Sequence, residues 1–165
     1  MASLQTSTTT AADVMNRNVV TLDARASLHD AMQIMTEHHV SGVPVVDQQD
    51  QCIGVISTSD VVSFIEADLE ALESEIVRTE NWFNPETQKW EESVFSSELL
   101  GEYDAVPVSD VMTSNPLTAL PTQSIANVAR LMKSRGIHRV FVVDEEKRLQ
   151  GVISAFDFVQ LVAGN

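Results

Sequence analysis

The sequence predicts an α+β fold made of two copies of one unit, in the order strand, helix, strand, strand, helix. The first reason is an internal repeat: the run from Gly54 to Asp60 returns, in closely similar form, from Gly151 to Asp157. A shift by the 97 residues that separate the two glycines aligns residues 13–65 with residues 110–162 without a gap. The second reason is that each copy carries helix-start signals on either side of two β-branched, apolar stretches. A repeat of this kind is one supersecondary unit that packs against its copy.

The first repeat opens with a predicted short strand at residues 19–22. Ser27 and Asp30 then form a capping box, in which the serine hydroxyl accepts from a backbone N–H of the first turn and the carboxylate favours the positive end of the helix. The apolar residues that follow recur at spacings of three and four, which places them on one face of the helix. These core residues are Leu28, Ala31, Met32 and Met35.

Two predicted strands at residues 42–47 and 52–57 follow, joined by a polar turn. Ser57 and Asp60 repeat the capping signature and start a second helix. Helical spacing then continues in an acidic run, and we expect this helix to extend through Leu69, Leu72 and Ile76.

The second repeat has the same elements in the same order. A strand lies near Leu117 and Thr118, a helix runs from Ser124 to a stop at Gly136, and two strands follow at residues 140–143 and 149–154. The final helix starts near Asp157. We therefore divide the chain into a flexible start (1–11), repeat one (12–65), an acidic insert (66–107) and repeat two (108–165).

The acidic insert holds most of the net charge of −14, because it carries twelve acidic residues against two basic ones. Such a charge balance repels nucleic acid, which requires clustered Lys and Arg. The chain has no apolar run long enough to cross a membrane, and Cys52, its one cysteine, is expected to be buried in a strand. We expect a soluble cytoplasmic protein. After a helix break at Asn81, residues 82–90 hold both tryptophans in two extended pieces, either as a local cover for the core or as a partner contact.

The repeated motifs resemble a tandem pair of cystathionine beta-synthase domains, known as a CBS pair or Bateman module. The marks are Asp-Val-Met at the start of each repeat, Val-Pro-Val-Val-Asp at residues 43–47 (with Phe141 in place of the proline in repeat two), and Gly-Val-Ile-Ser-x-x-Asp twice. The resemblance implies two repeats related by a pseudo-twofold axis with two clefts between them. It also implies an adenosine-containing ligand such as AMP, ADP, ATP or S-adenosylmethionine, assembly into a homodimer, and a sensing role without catalysis.

The residues themselves can bind a nucleoside. A carboxylate at the start of a helix can accept hydrogen bonds from both hydroxyls of a ribose, and Asp60 and Asp157 are placed for this. Ser57 and Ser154 add hydroxyls and backbone N–H groups one turn earlier. Capping alone is the alternative interpretation, because Ser27 and Asp30 have the same spacing at a place where no ligand is expected.

For the first cleft, we expect Ser57 and Asp60 to act together with residues of repeat two. His138 and Arg139 resemble the His-Arg pair with which the gamma subunit of AMP-activated protein kinase contacts nucleotide phosphate, and the planar guanidinium of arginine can donate twice to one phosphate. The strand at Leu117 and Thr118 completes this cleft. An exposed strand edge is the alternative interpretation of His138 and Arg139.

The second cleft combines Ser154 and Asp157 with Thr21 and Ser41 of repeat one. Ser41 and Gly42 occupy the positions that match His138 and Arg139 and carry no charge. We therefore expect unequal clefts, with a phosphorylated nucleotide beside Asp60 and a weaker, adenosine-like ligand or none beside Asp157.

Other functional classes find less support in the residues. The chain has neither a glycine-rich phosphate loop nor a nucleophile elbow. We therefore expect it to have no catalytic activity and to need no cofactor. His38 and His39 are neighbours on a helix and point in different directions, so we expect no metal site. The serious alternative is a dimerising scaffold without a nucleotide ligand, in which the acidic insert with its tryptophans contacts an effector protein.

Overall fold

The computed structural model describes residues 9–72, 80–84, 89–93 and 103–163. Both repeats have the order strand, helix, strand, strand, helix, which confirms the predicted α+β class and its repeated unit. In chain order the elements are α1 (Ala11–Val14), β1 (Leu22–Asp23), α2 (Leu28–Glu37), β2 (Gly42–Val46), β3 (Cys52–Ser57), α3 (Thr58–Leu72), β4 (Glu80–Asn84), β5 (Lys89–Ser93), β6 (Thr113–Ser114), β7 (Thr118–Ala119), α4 (Ile125–Arg135), β8 (Arg139–Val143), β9 (Leu149–Ser154) and α5 (Ala155–Ala163).

The ends of α2 and α4 lie where the capping signals predict them. The Ser27 hydroxyl accepts a hydrogen bond from the backbone N–H of Asp30 at 3.0 Å, and the Ser124 hydroxyl accepts one from Asn127 at 3.3 Å. Gly136 ends α4 with a φ of 64°, in the left-handed region that glycine adopts without steric cost.

The strands of the two repeats form two small sheets, and β6 of repeat two joins the sheet of repeat one. One sheet has the order β1-β2-β3-β6 and the other the order β7-β8-β9, and in each of them the first strand runs parallel to the second. The first strand of repeat one is β1 rather than the predicted 19–22, because pairing begins only where Leu22 lies beside Val45.

The inter-repeat segment contains a helical part and a hairpin. Helix α3 includes Leu69 and Leu72, as the spacing predicts, whereas Ile76 lies outside the described residues. Strands β4 and β5 pair antiparallel, with Phe83 opposite Trp90. These strands confirm the two predicted extended pieces, and residues 85–88 between them lie outside the described ranges.

The chain divides into two compact units, and each of them draws on both repeats. One unit, termed the Asp157 unit, contains residues 116–163 together with residues 9–19 and Gln48–Cys52; the other, termed the Asp60 unit, contains Val20–Asp47 and the described residues between Ile53 and Asn115. The Asp-Val-Met segment at the start of each repeat therefore belongs to the unit built from the other repeat.

Each unit has its own apolar core. The Asp60 core is built from Leu22, Leu28, Ala31, Met32, Met35, Val43, Val45, Ile56, Val61, Ile65, Tyr103 and Val108. The Asp157 core is built from Ala11, Met15, Ala119, Ile125, Val128, Met132, Val140, Val142 and Ile153. The predicted inner face of α2 is therefore confirmed, and Cys52 is buried in β3 as expected.

The two repeated glycines leave room for the two repeated methionines. A Cβ added to Gly54 would overlap the Sδ of Met112 and lie 3.0 Å from its Cγ. A Cβ added to Gly151 would lie 2.8 Å from both the Sδ of Met15 and the backbone oxygen of Asn16. The Gly-Val-Ile-Ser motif of one repeat therefore requires glycine because the Asp-Val-Met motif of the other repeat packs onto it.

Candidate functional site

The Asp60 carboxylate caps the start of α3. Strand β3 ends at Ser57, and its direct continuation into the helix leaves the first-turn N–H groups without helical partners. The Oδ2 atom of Asp60 accepts hydrogen bonds from the backbone N–H of Ser57 at 2.8 Å and from the Ser57 hydroxyl. In return, the Ser57 hydroxyl accepts from the N–H of Asp60 at 3.3 Å. Asp60 is half-buried in this position.

The Asp157 carboxylate has the same arrangement at the start of α5. Its Oδ2 atom accepts from the backbone N–H of Ser154 at 2.6 Å and from the Ser154 hydroxyl at 2.8 Å. Strand β9 again passes directly into the helix, which begins at Ala155. The two motifs that the sequence singled out therefore form two equivalent local structures.

Asp30 provides an internal reference for these two carboxylates. Its Oδ2 atom accepts from the N–H of Ser27 at 2.8 Å and from the Ser27 hydroxyl at 2.9 Å, and these two hydrogen bonds, the backbone one first, lower the pKa of Asp30. All three boxes use Oδ2 for the cap. Capping therefore accounts for only one carboxylate oxygen in each box, and Oδ1 remains for a further donor.

A threonine that the sequence analysis did not single out reaches the second oxygen of Asp60. The Thr113 hydroxyl donates to Asp60 Oδ1 at 3.1 Å. Thr113 lies on β6, opposite Val55 of β3, so the register of this strand pair places it close to the start of α3. The contact joins residues 53 positions apart in the sequence, and no local motif indicates it.

Two further predicted residues lie in the Asp60 unit. The backbone oxygen of Ser41 accepts from the N–H of Thr58 at 3.1 Å, which places Ser41 beside the first turn of α3. Thr21 is exposed and directly precedes β1. Ser41 therefore lies close to Ser57 in space, and both belong to the same unit as Asp60.

The other four predicted residues lie in the Asp157 unit. The backbone oxygen of His138 accepts from the N–H of Ala155 at 2.9 Å, and Arg139 pairs in register with Ser154. The backbone of Arg139, the residue predicted to supply the cation, therefore lies next to the start of α5. Thr118 pairs with Phe141, and Leu117 before it is 39% exposed.

Each predicted cleft thus combines residues of both units. The first joins Ser57 and Asp60 to residues of the Asp157 unit, and the second joins Ser154 and Asp157 to Thr21 and Ser41. Within the Asp157 unit, the sheet places Arg139 beside Ser154, a proximity that the sequence analysis did not anticipate. The assignment of residues to the two clefts stays a prediction.

The described part of the chain contains no helix long and apolar enough to cross a membrane. In the same residues, no three His, Cys, Asp or Glu side chains come together as a metal site requires.

The family model for the CBS domain matches residues 11–67 and 108–164. The chain belongs to the CBS domain family. The two matches cover both repeats and include Asp60, Arg139 and Asp157. Both compact units therefore contain residues of both CBS repeats.

Related proteins extend this result at low sequence identity. The CBS domain-containing protein CBSX2, chloroplastic, of Arabidopsis thaliana is 25% identical over 144 residues, which are 87% of this chain and 58% of the relative. The uncharacterized protein MJ1426 of Methanocaldococcus jannaschii is 28% identical over 149 residues, 90% of this chain and 88% of the relative. The chain thus spans little more than half of CBSX2.

Two solved structures show the same fold. The crystal structure of CBSX2 in complex with AMP has a TM-score of 0.68 at 23% identity and covers 94% of this chain and 96% of the solved one. The CBS domain pair of protein MJ0100, in complex with 5′-methylthioadenosine and S-adenosyl-L-methionine, has a TM-score of 0.63 at 21% identity, with coverages of 94% and 97%.

Proposed function

We propose that this CBS pair is a regulatory module without catalytic activity, which binds an adenosine-containing ligand and signals its presence to a partner protein. The observation that carries the proposal is the repeated Ser-x-x-Asp box at the starts of α3 and α5, in which the cap uses only Oδ2 of each aspartate. The hydrogen-bonding need of a ribose fits this geometry, because its two neighbouring hydroxyls require fixed acceptors. The AMP complex of CBSX2, a protein of similar fold, supports the ligand class.

We place the phosphorylated ligand beside Asp60 and Ser57, with Leu117, Thr118, His138 and Arg139 as the remaining contacts. A guanidinium can donate two hydrogen bonds to one phosphate, and this contact favours AMP, ADP or ATP over neutral adenosine. The second site, beside Asp157 and Ser154, uses Thr21 and Ser41, which supply no positive charge. This site binds adenosine-like ligands more weakly, or it stays empty.

A thermal unfolding panel with AMP, ADP, ATP and S-adenosylmethionine tests the ligand class. A ligand at 100 times its Kd stabilises the native state by about 2.7 kcal/mol, and for a chain of this size that corresponds to a rise in Tm of about 5 to 10 °C. We expect such a rise with at least one adenine nucleotide and less than about 1 °C with guanosine monophosphate. A flat response to the whole panel would favour the scaffold function instead.

The scaffold function is the second candidate because α5 carries an apolar stripe that its own unit leaves exposed. Phe156, Val159 and Val162 are 48%, 59% and 67% exposed, whereas Phe158 and Leu161 of the same helix pack onto the Asp157 core. A stripe of this kind marks a contact surface. We propose that a second copy of the chain covers it, whether or not the clefts bind a nucleotide.

Val159→Glu tests the dimer. A charge placed in an apolar interface has no partner there, so we expect the dimer dissociation constant to rise about 100-fold in sedimentation equilibrium. Gln160→Glu, on the same helix and also exposed, is the matched control and leaves the constant nearly unchanged. Equal effects of the two substitutions would show that the stripe does not form the interface.

A further inference from the structure

Both oxygens of the Asp60 carboxylate are held by this chain. Oδ2 accepts from the N–H and the hydroxyl of Ser57, and Oδ1 accepts from the hydroxyl of Thr113 at 3.1 Å. Three donors from two different strands fix the plane of the carboxylate as well as its position. By contrast, within the described residues Asp30 and Asp157 are held through Oδ2 alone.

The position of Thr113 is set by the sheet. Thr113 pairs with Val55 and Ser114 pairs with Gly54, so β6 runs antiparallel to the last part of β3, directly before α3. Asn115 continues this contact, because its N–H donates to the backbone oxygen of Ile53 at 3.2 Å. The hydroxyl of Thr113 is therefore brought to Asp60 by backbone pairing and not by a mobile loop.

The corresponding residue in repeat one, Asn16, has the same backbone pairing but a different side-chain contact. Asn16 precedes Thr113 by the repeat length of 97 residues and pairs with Val152, which corresponds to Val55. Its backbone exchanges two hydrogen bonds with Val152, both at 2.9 Å, so the register is the same. However, the side-chain oxygen of Asn16 accepts from the N–H of Asn18 at 2.9 Å and makes no hydrogen bond to Asp157. The two aspartates thus differ in one contact: within the described residues, Asp60 accepts a hydrogen bond from a threonine hydroxyl and Asp157 does not.

We infer that Thr113 is a positioning and specificity residue that adapts the Asp60 site, and not the Asp157 site, to a vicinal diol. The inference rests on the proposed function. A hydroxyl that donates to a carboxylate keeps its lone pairs, so Thr113 Oγ1 accepts one ligand hydroxyl while Asp60 Oδ1 accepts its neighbour. Asp157 offers a single oxygen for this purpose. The Asp60 site therefore distinguishes a ribose from a deoxyribose more strongly than the Asp157 site does.

Thr113→Val tests the inference, because valine keeps the β-branched shape of threonine and removes its hydroxyl. The titrations use AMP and 2′-deoxy-AMP, in an Asp157→Ala background, so that only the Asp60 site is measured. We expect Thr113→Val to weaken AMP binding about tenfold, as for one lost hydrogen bond near a charged group, and to weaken 2′-deoxy-AMP binding by less than about threefold. Thr113→Ser restores both the affinity and the discrimination. Ser114→Ala removes the neighbouring hydroxyl on β6 and serves as the control without effect.

The outcomes separate this inference from the proposed function. If AMP binding is lost in Asp60→Ala but is unchanged in Thr113→Val, the role of Thr113 is wrong and the nucleotide site stands. If AMP does not bind even to the unaltered protein, both are wrong. Thr113→Ala, which adds no bulk, replaces the valine variant if the latter lowers the Tm by more than a few degrees; an unchanged preference for AMP over its deoxy form in this variant also overturns the inference.

Discussion

Asp60→Ala is expected to abolish AMP binding while costing about 1 kcal/mol more stability than Asp30→Ala, because Asp60 also accepts a hydrogen bond from Thr113. Both substitutions remove the carboxylate of a Ser-x-x-Asp box, so each loses about 1 kcal/mol of capping. Only Asp60 also loses hydrogen bonds from ligand hydroxyls to a charged group, which raises the Kd for AMP about 100-fold or more. Isothermal titration calorimetry measures the affinity and thermal unfolding measures the capping loss.

Titrations with AMP also test whether Arg139 belongs to the Asp60 cleft or to the Asp157 cleft. A double-mutant cycle compares Arg139→Ala combined with Asp60→Ala against Arg139→Ala combined with Asp157→Ala. We expect the nucleotide affinity to show coupling for the pair with Asp60 and additivity for the pair with Asp157. The reverse result would place Arg139 at the Asp157 site, next to Ser154, with which it is in register. If Asp157→Ala alone removed AMP binding, the assignment of the phosphorylated ligand would be wrong.

Gly151→Ala is expected to destabilise the protein more than Gly54→Ala does. The added Cβ would meet the backbone oxygen of Asn16 and the side chain of Met15, both at 2.8 Å, and the backbone atom cannot move without disturbing β9, with which Asn16 exchanges hydrogen bonds. We expect a loss of about 3 kcal/mol in urea unfolding, at the upper end for overpacking. In Gly54→Ala, the three atoms nearest to the new Cβ all belong to the flexible side chain of Met112, so the substitution is expected to cost about 1 kcal/mol.

A second substitution at the facing methionine tests whether each Gly→Ala loss comes from steric overlap with that side chain. Met112→Ala in the Gly54→Ala background provides room for the new methyl group, so the two substitutions together cost less than the sum of their separate effects. Met15→Ala in the Gly151→Ala background gives only partial relief, because the backbone oxygen of Asn16 remains. Equal losses for the two glycines, or additive pairs, would contradict the packing of the methionines onto them.

Much of the fold followed from the sequence because its signals are local or periodic. The capping box of Ser27 and Asp30, the apolar face of α2 and the stop at Gly136 each depend on residues within a few positions of one another. The repeat then extended each assignment to the second half of the chain. The predicted start of the first strand at residue 19 is wrong: the apolar pair at residues 19–20 favours a strand locally, but pairing with β2 begins only at Leu22.

The features that the sequence did not predict depend on contacts between distant residues. Gly54 and Met112 are both parts of repeated motifs, but the sequence does not show that they are in contact. The contact forms because the Asp-Val-Met segment of repeat two packs onto the strand that contains Gly54. The sequence does not indicate a role for Thr113, because the aligned residue of repeat one is Asn16. The Asn16 side chain accepts from the N–H of Asn18, whereas the Thr113 hydroxyl donates to Asp60. Sequence identity between repeats indicates shared structure, and the differences between repeats indicate where the two sites diverge.

A crystal structure of the protein grown with AMP tests the central claim most directly. We predict a ribose whose hydroxyls lie within hydrogen-bond distance of Asp60 Oδ1 and Thr113 Oγ1, with the phosphate against Arg139. Nucleotide density away from both Ser-x-x-Asp boxes, or no density at saturating AMP, would contradict it.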